Sequence, residues 1–241
     1  MKTFSVFFAE SISFQIHQEL NPKFWDGEIL RPKVRSQLKK IAAAWIDYVG
    51  LDKSSVVDIL LLGGNAGYNY TKFSDLDLHV VVDKTKGECA DILTDFYKDK
   101  KELWTLTHDV TIYGQSVEPY VDEAGKKRRK SQGIYSIKDN KWLKKPGRFD
   151  GDLDKDLLNR KVYDMMSKID RVIGHSNNVS VLETLLKKIR NMRDAGLAKA
   201  GEFSFENLVY KELRNKGYLD KLADHIITLQ DKSLTLENYV C

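Results

Sequence analysis

Between Val56 and Asp83 the chain reads VVDILLLGGNAGYNYTKFSDLDLHVVVD, and no other stretch limits the fold as much. An apolar run from Asp58 to Leu62 ends in Gly63-Gly64, a polar loop follows, and a second apolar run begins at Leu76. Side chains alternate faces along a strand, so in the second run Leu76, Leu78 and Val80 take one face and Asp75, Asp77 and His79 the other. One face is core, and the other presents two carboxylates one residue apart. Like charges that close repel unless a cation lies between them or one is protonated, so the strand is expected to border a divalent-metal site. The glycine turn just upstream has no side chains, which lets its backbone approach a ligand and offer N–H groups to phosphate oxygens.

Gly63, Gly64 and Asn65, followed by Asp75-Leu76-Asp77-Leu78, resemble the signature of the polymerase-beta-like nucleotidyltransferase superfamily. In that family an apolar residue and Gly-Gly or Gly-Ser precede an acidic-apolar-acidic strand at about this spacing. The resemblance spans residues 56 to 122. It implies that Asp75 and Asp77 bind Mg²⁺ or Mn²⁺, that a nucleoside triphosphate is the donor substrate, and that Gly63, Gly64 and Asn65 hold its β- and γ-phosphates. Asn65 stands where many members have serine, and its amide can still donate to phosphate. The family draws a third carboxylate from a later strand in an apolar-acidic-apolar setting. Val117-Glu118-Pro119 fits that setting best, with Asp109, before Val110, as the alternative. Pro119 argues for an edge or a bulge at that point, since proline donates nothing to a ladder.

The implied activity is metal-dependent transfer of an NMP from an NTP to an acceptor hydroxyl, through two metal ions. The acceptor is an RNA 3′ end, a protein or a small molecule. A reading from a different class is a catalytically silent fold of the same type that binds RNA or a protein partner. A glycosyltransferase also uses Asp-X-Asp, but it would leave both the glycine turn and the later acidic strand unexplained. The segments LNPKFWDG and GEFSFENLVYKELRN are similar to parts of uncharacterised phage-encoded nucleotidyltransferase-like proteins, which implies the cytoplasm of a bacterial host.

Net charge is +4, yet residues 126–148 hold ten Lys or Arg against the single Asp139, which is +9 in that window and −5 elsewhere. A cationic segment beside a phosphate site is expected to meet a polyanion such as RNA, unless it is a solvated basic turn. The opening MKTFSVFFAESISF is cut by Glu10, too short for a signal-peptide core, and no apolar run approaches the ~18 residues of a membrane span. A cytoplasmic protein is expected. The two cysteines, Cys89 and Cys241, make no disulfide framework or zinc spacing.

Elsewhere, LNPKFWDG reads as a structured connection with Phe24 and Trp25 as anchors. Helical spacing of Val34, Leu38, Ile41, Trp45 and Val49, between Pro32 and Gly50, predicts a helix over 31–49. Tyr68 and Tyr70 in the polar loop either pack or stack on a base. A helix over 87–104 is expected next, then short strands around 109–114 and 117–121, a basic turn, and a strand over 134–137. Lys141 to Arg148, with Pro146 and Gly147, reads as a hinge.

After the hinge the pattern is helical. One stripe is Leu158, Val162, Met165, Ile169 and Val172. A helix opened by a Ser180…Glu183 capping box ends at Gly196, another is capped by Ser204 and closed by Gly217, and a last one covers 219–229. Asp150, Asp152, Asp154 and Asp156 lack the glycine and glutamate of a calcium loop and read as negative charge at a helix N-terminus. The expected class is α+β: a nucleotidyltransferase-like mixed β-sheet flanked by helices, followed by a small C-terminal helical bundle. The expected domains are a catalytic one over 1–148 and a helical one over 149–241.

Overall fold

The computed structural model describes residues 13, 15–83, 90–128, 132–149, 151 and 153–236, the side chains of 90–94 excepted. Cys89, Cys241, Asp150, Asp152 and the opening apolar run lie outside the described residues. The described residues of Gln15–Phe149 form one compact unit, and those of Met1–Phe14 and Asp150–Cys241 form another.

The first unit opens with a hairpin of β1 (Trp25–Asp26) and β2 (Ile29–Leu30), then α1 (Pro32–Val49), β3 (Val56–Leu62), β4 (Leu76–Val82), α2 (Ala90–Thr107), β5 (Thr111–Ile112), β6 (Gln115–Glu123), β7 (Ile134–Ser136) and β8 (Lys141–Lys144). Among the described residues the larger sheet has the order β5-β6-β4-β3-β7-β8. It is mixed: β4 and β6 pair in parallel and the other neighbours run antiparallel. A parallel pair requires a crossover, and α2 lies in it.

α1 follows its local signals. Pro32 starts it, and Gly50 at φ 72° ends it, with Gly50 N–H donating to Asp47 O and Leu51 N–H to Ile46 O. That is a Schellman ending, in which a left-handed residue lets two orphan carbonyls be satisfied. Its inner face, Val34, Leu38, Ile41 and Trp45, is buried. Trp45 meets Trp104 of α2 edge-on at 5.5 Å, which ties the two helices together. In β4 the alternation is clean: Leu76, Leu78 and Val80 are fully buried, while Asp77 and His79, and Asp75 just ahead of the strand, are half-buried.

Phe24 and Trp25 are the anchors the connection needs, both buried. Trp25 stacks on Trp142 of β8 at 4.9 Å and meets Tyr135 of β7 edge-on. The segment expected to be a hinge is therefore corrected: Lys141–Lys144 is a strand paired with β7. Pro146 and Gly147 follow this strand, and their breaker signal hid it.

The second unit holds α3 (Lys155–His175), α4 (Val179–Ala200), α5 (Phe205–Asn215) and α6 (Tyr218–Leu234). Leu158, Val162, Ile169, Leu182, Leu185, Ile189, Leu208, Leu213, Leu222 and Ile226 form the buried faces. Asp154 caps α3 and Ser204 caps α5. Two expectations change here. Asn178, not Ser180, caps α4. Gly196 does not end that helix but sits inside it, where a Cβ would fall 2.7 Å from Glu206 Cβ, so its small size admits the start of α5. In the same unit Ser13 donates to the buried Glu212 of α5 through both its N–H and its Oγ.

Candidate active site

β3 and β4 pair with Leu62 opposite Asp77, and β4 and β6 pair with Asp77 opposite Glu118. Opposed residues on neighbouring strands project to the same face about 4.8 Å apart. Asp77 thus stands between the end of β3 and Glu118, with Asp75 two residues back on its own face. Asp109 lies exposed ahead of β5, with β6 between it and β4. Pro119 costs no ladder bond. Val117 N–H donates outward to Val110 O, and the period of two turns residue 119 to that same outer side.

The glycine turn closes directly on this group. Gly63 has φ 76°, and a Cβ built on it would fall 1.6 Å from Asp77 Oδ2. The carboxylate occupies the space a side chain would need, so glycine is required both for the backbone conformation and for the approach. Gly64–Ala66 then forms a 3-10 turn.

Asn65 is placed differently from the phosphate-binding role expected of its side chain. It is fully buried, with Nδ2 donating to Ser74 O, Asp75 O and Gln115 Oε1 while Oδ1 accepts from Asn21 Nδ2. Its amide is committed to the loop and fixes the backbone just ahead of Asp75. The N-terminal hairpin braces the same turn, since Trp25 Nε1 donates to Asn65 O at 2.7 Å. Gly133 lies beneath it, where a Cβ would fall 2.1 Å from Ala66 O. Tyr68 lies under the Arg148 guanidinium and Tyr70 stacks on His17 at 3.7 Å, so both tyrosines have packing partners.

Sequence reasoning did not single out Lys101. From α2 it donates to Glu118 Oε2 at 2.6 Å and to Tyr120 Oη at 2.8 Å, with its ammonium 4.0 Å from the Tyr120 ring centroid. Tyr120 Oη in turn donates to Glu118 Oε2. Burial raises the Tyr120 pKa far above the ordinary phenol value, and the charges of Asp77, Glu118 and Asp75 raise it further. The phenol therefore stays protonated beside three carboxylates.

A second cluster lies further along the same face. Asp122 Oδ2 accepts from Arg128 and pairs with His79 Nδ1 at 2.5 Å, while Oδ1 accepts from Lys126. Burial lowers the His79 pKa despite this carboxylate. Burial acts to raise that of Asp122, but His79, Lys126 and Arg128 outweigh it and hold the carboxyl well below the usual range. His79 packs flat on Tyr120 at 4.5 Å. It orients its neighbours through this stack and through its bond to Asp122. Much of the basic segment is also engaged: Lys138 with Val57 O, Lys141 with Asp139, Lys145 with Glu28 and Arg148 with Gln18 O. Arg129 and Lys130 lie outside the described residues.

The Asp122 cluster carries a pH dependence. A carboxyl whose folded pKa is lowered contributes stability above its unfolded value, about 3.9, and loses it as pH falls through and below that value. At pH 7, Asp122→Asn is expected to cost about 3 kcal/mol, because Arg128 is left without its buried partner. Below pH 4 the gap to wild type should narrow progressively, closing only as pH falls through the lowered folded pKa. All four tryptophans lie in Gln15–Phe149, so urea titration followed by tryptophan fluorescence reads this unit. Midpoints that fall in parallel with pH would remove Asp122 from the account.

No family model matches the chain, and no curated protein matches it. Two solved structures are similar. One is the CdnE cyclic dinucleotide synthase of Elizabethkingia meningoseptica with GTP and Apcpp, at 17% identity and TM-score 0.28, covering 80% of this chain and 75% of that one. The other is the STING-associated CdnE c-di-GMP synthase of Capnocytophaga granulosa, at 10% identity and TM-score 0.21, covering 85% and 83%. Likeness at this level carries no argument about chemistry.

The donor chemistry of Asp75, Asp77 and Glu118 suits a hard divalent ion. The arrangement suits it less. Among the described residues no group of three or more His, Cys, Asp or Glu is arranged to hold a metal ion, and Glu118 is turned to Lys101. Among the same residues no helix is long and apolar enough to cross a membrane.

Proposed function

We propose that the chain is a divalent-ion-dependent nucleotidyltransferase of the polymerase-beta-like type, moving an NMP from an NTP to an acceptor hydroxyl. What supports this reading above all is the contact between the two halves of the motif: the Asp77 carboxylate lies in the space left open by Gly63 and in register with Glu118. A phosphate-approaching backbone and a carboxylate strand then form one surface.

Asp75 and Asp77 are the residues that would hold the ion, which neutralises triphosphate charge and the charge developing at the α-phosphate. The side-chain-free backbone of Gly63 and Gly64 lets the β- and γ-phosphates come close, and Asn65 serves by holding the loop. Tyr120 keeps its proton and donates a hydrogen bond to Glu118. The acceptor stands between an RNA 3′ end, a protein and a small molecule. The basic segment supports RNA less strongly than its charge suggests, because Lys126 and Arg128 are bound to Asp122.

A silent binding fold is favoured by one observation, the Lys101 ammonium on Glu118. Incubating the protein with each α-labelled NTP and host lysate, then separating RNA, protein and small molecules, decides between the two. Label in one fraction supports transfer and names the acceptor class. Label in none supports the binding fold.

A further inference from the structure

The Lys101 ammonium sits on Glu118 and Tyr120. It is 2.6 Å from Glu118 Oε2 and 2.8 Å from Tyr120 Oη, over the face of the same ring. Glu118 is the register partner of Asp77, and Tyr120 feels the charge of all three carboxylates. Like charges gathered in a half-buried site need a positive neighbour. The protein supplies one from α2, where the packing of Trp104 on Trp45 fixes the next turn of the helix.

We infer that Lys101 is the resident counter-ion of Glu118 and competes with divalent metal for that carboxylate. This rests on the reading of Asp75 and Asp77 as the metal-holding pair. With Lys101 in place, Glu118 Oε2 is taken up by the ammonium. A metal that also takes Glu118 must first move the ammonium away. There is room for that movement, because Lys101 borders an open cavity of about 1320 Å³ that Tyr97, Lys98 and Glu102 also line. The lysine thereby sets whether Glu118 is offered to metal, and with it the affinity.

The test needs no catalysis. Mn²⁺ is titrated into the full chain and free Mn²⁺ is read by electron paramagnetic resonance, for wild type, Lys101→Met, Lys101→Arg, and Lys101→Met combined with Asp77→Asn. Methionine keeps most of the stem and removes the charge. Lys101→Met is expected to bind Mn²⁺ about tenfold more tightly or better, the factor that one charge-assisted hydrogen bond represents. Lys101→Arg keeps a cation on Glu118 and should stay near wild type, and adding Asp77→Asn should abolish the gain. Circular dichroism confirms that each variant is folded.

If Lys101→Met binds no more tightly than wild type while wild type binds, the lysine does not compete and the inference is overturned, with the carboxylate pair untouched. If Lys101→Arg tightens as much as Lys101→Met, charge is not the cause and the inference is again overturned. If neither wild type nor Lys101→Met binds Mn²⁺, both the inference and the metal-holding pair fall.

Discussion

Asp77→Asn and Asp75→Asn are each expected to lower transfer of α-labelled NMP by about a thousandfold or more, with an unchanged circular dichroism spectrum. The size follows from the role. A divalent ion at a transferring phosphoryl group is worth several kcal/mol of transition-state stabilisation, and about 4 kcal/mol is a factor of a thousand in rate. Asparagine keeps the volume and one oxygen but removes the charge that holds the ion. The fold should survive because both side chains are half-buried, Asp77 on β4 and Asp75 just ahead of it, whereas Leu76 and Leu78 are fully buried. Undiminished transfer by the double variant would end the assignment.

Gly63→Ala should lower transfer by about a hundredfold or more with an intact Asp77. A methyl at φ 76° and ψ −161°, a region that is essentially glycine's alone, costs about 1–3 kcal/mol for the backbone alone. It would also lie 1.6 Å from Asp77 Oδ2, so the carboxylate must rotate away. The two positions then act as one unit: adding Gly63→Ala to Asp77→Asn should change transfer little further, where independent sites would multiply. Gly64→Ala is the contrast. Its Cβ would meet only Ser74 Oγ, at 3.0 Å, a side-chain atom that can give way. A double variant showing the full product of both losses would separate the glycine from the carboxylate.

What was legible in the chain came from short-range physics. Pro32 and Gly50 mark the ends of α1 through their own φ angles, and the alternation from Asp75 to Val80 assigns faces by the period of a strand. The errors came where one local signal served a distant partner. Gly196 carries the mark of a helix end but gives room to α5. Ser180 and Glu183 fit a capping box, while Asn178 bonds Ser180 N–H and starts the helix earlier. Asn65 has the donors a phosphate needs, yet four polar groups from residues 21, 74, 75 and 115 take its amide.

By itself, then, the sequence determined the strand that carries Asp75 and Asp77, the turn that Gly63 requires and the helical character of residues 155–234, because dihedral preference and hydrophobic period act over a few residues. Only the tertiary structure decided that Glu118 stands beside Asp77, that Lys101 occupies Glu118, and that Asp122 takes up part of the basic turn. These are meetings of charges 17 to 41 positions apart for the first two, set by how α2 and β6 pack back on β4, and no spacing rule reaches that far.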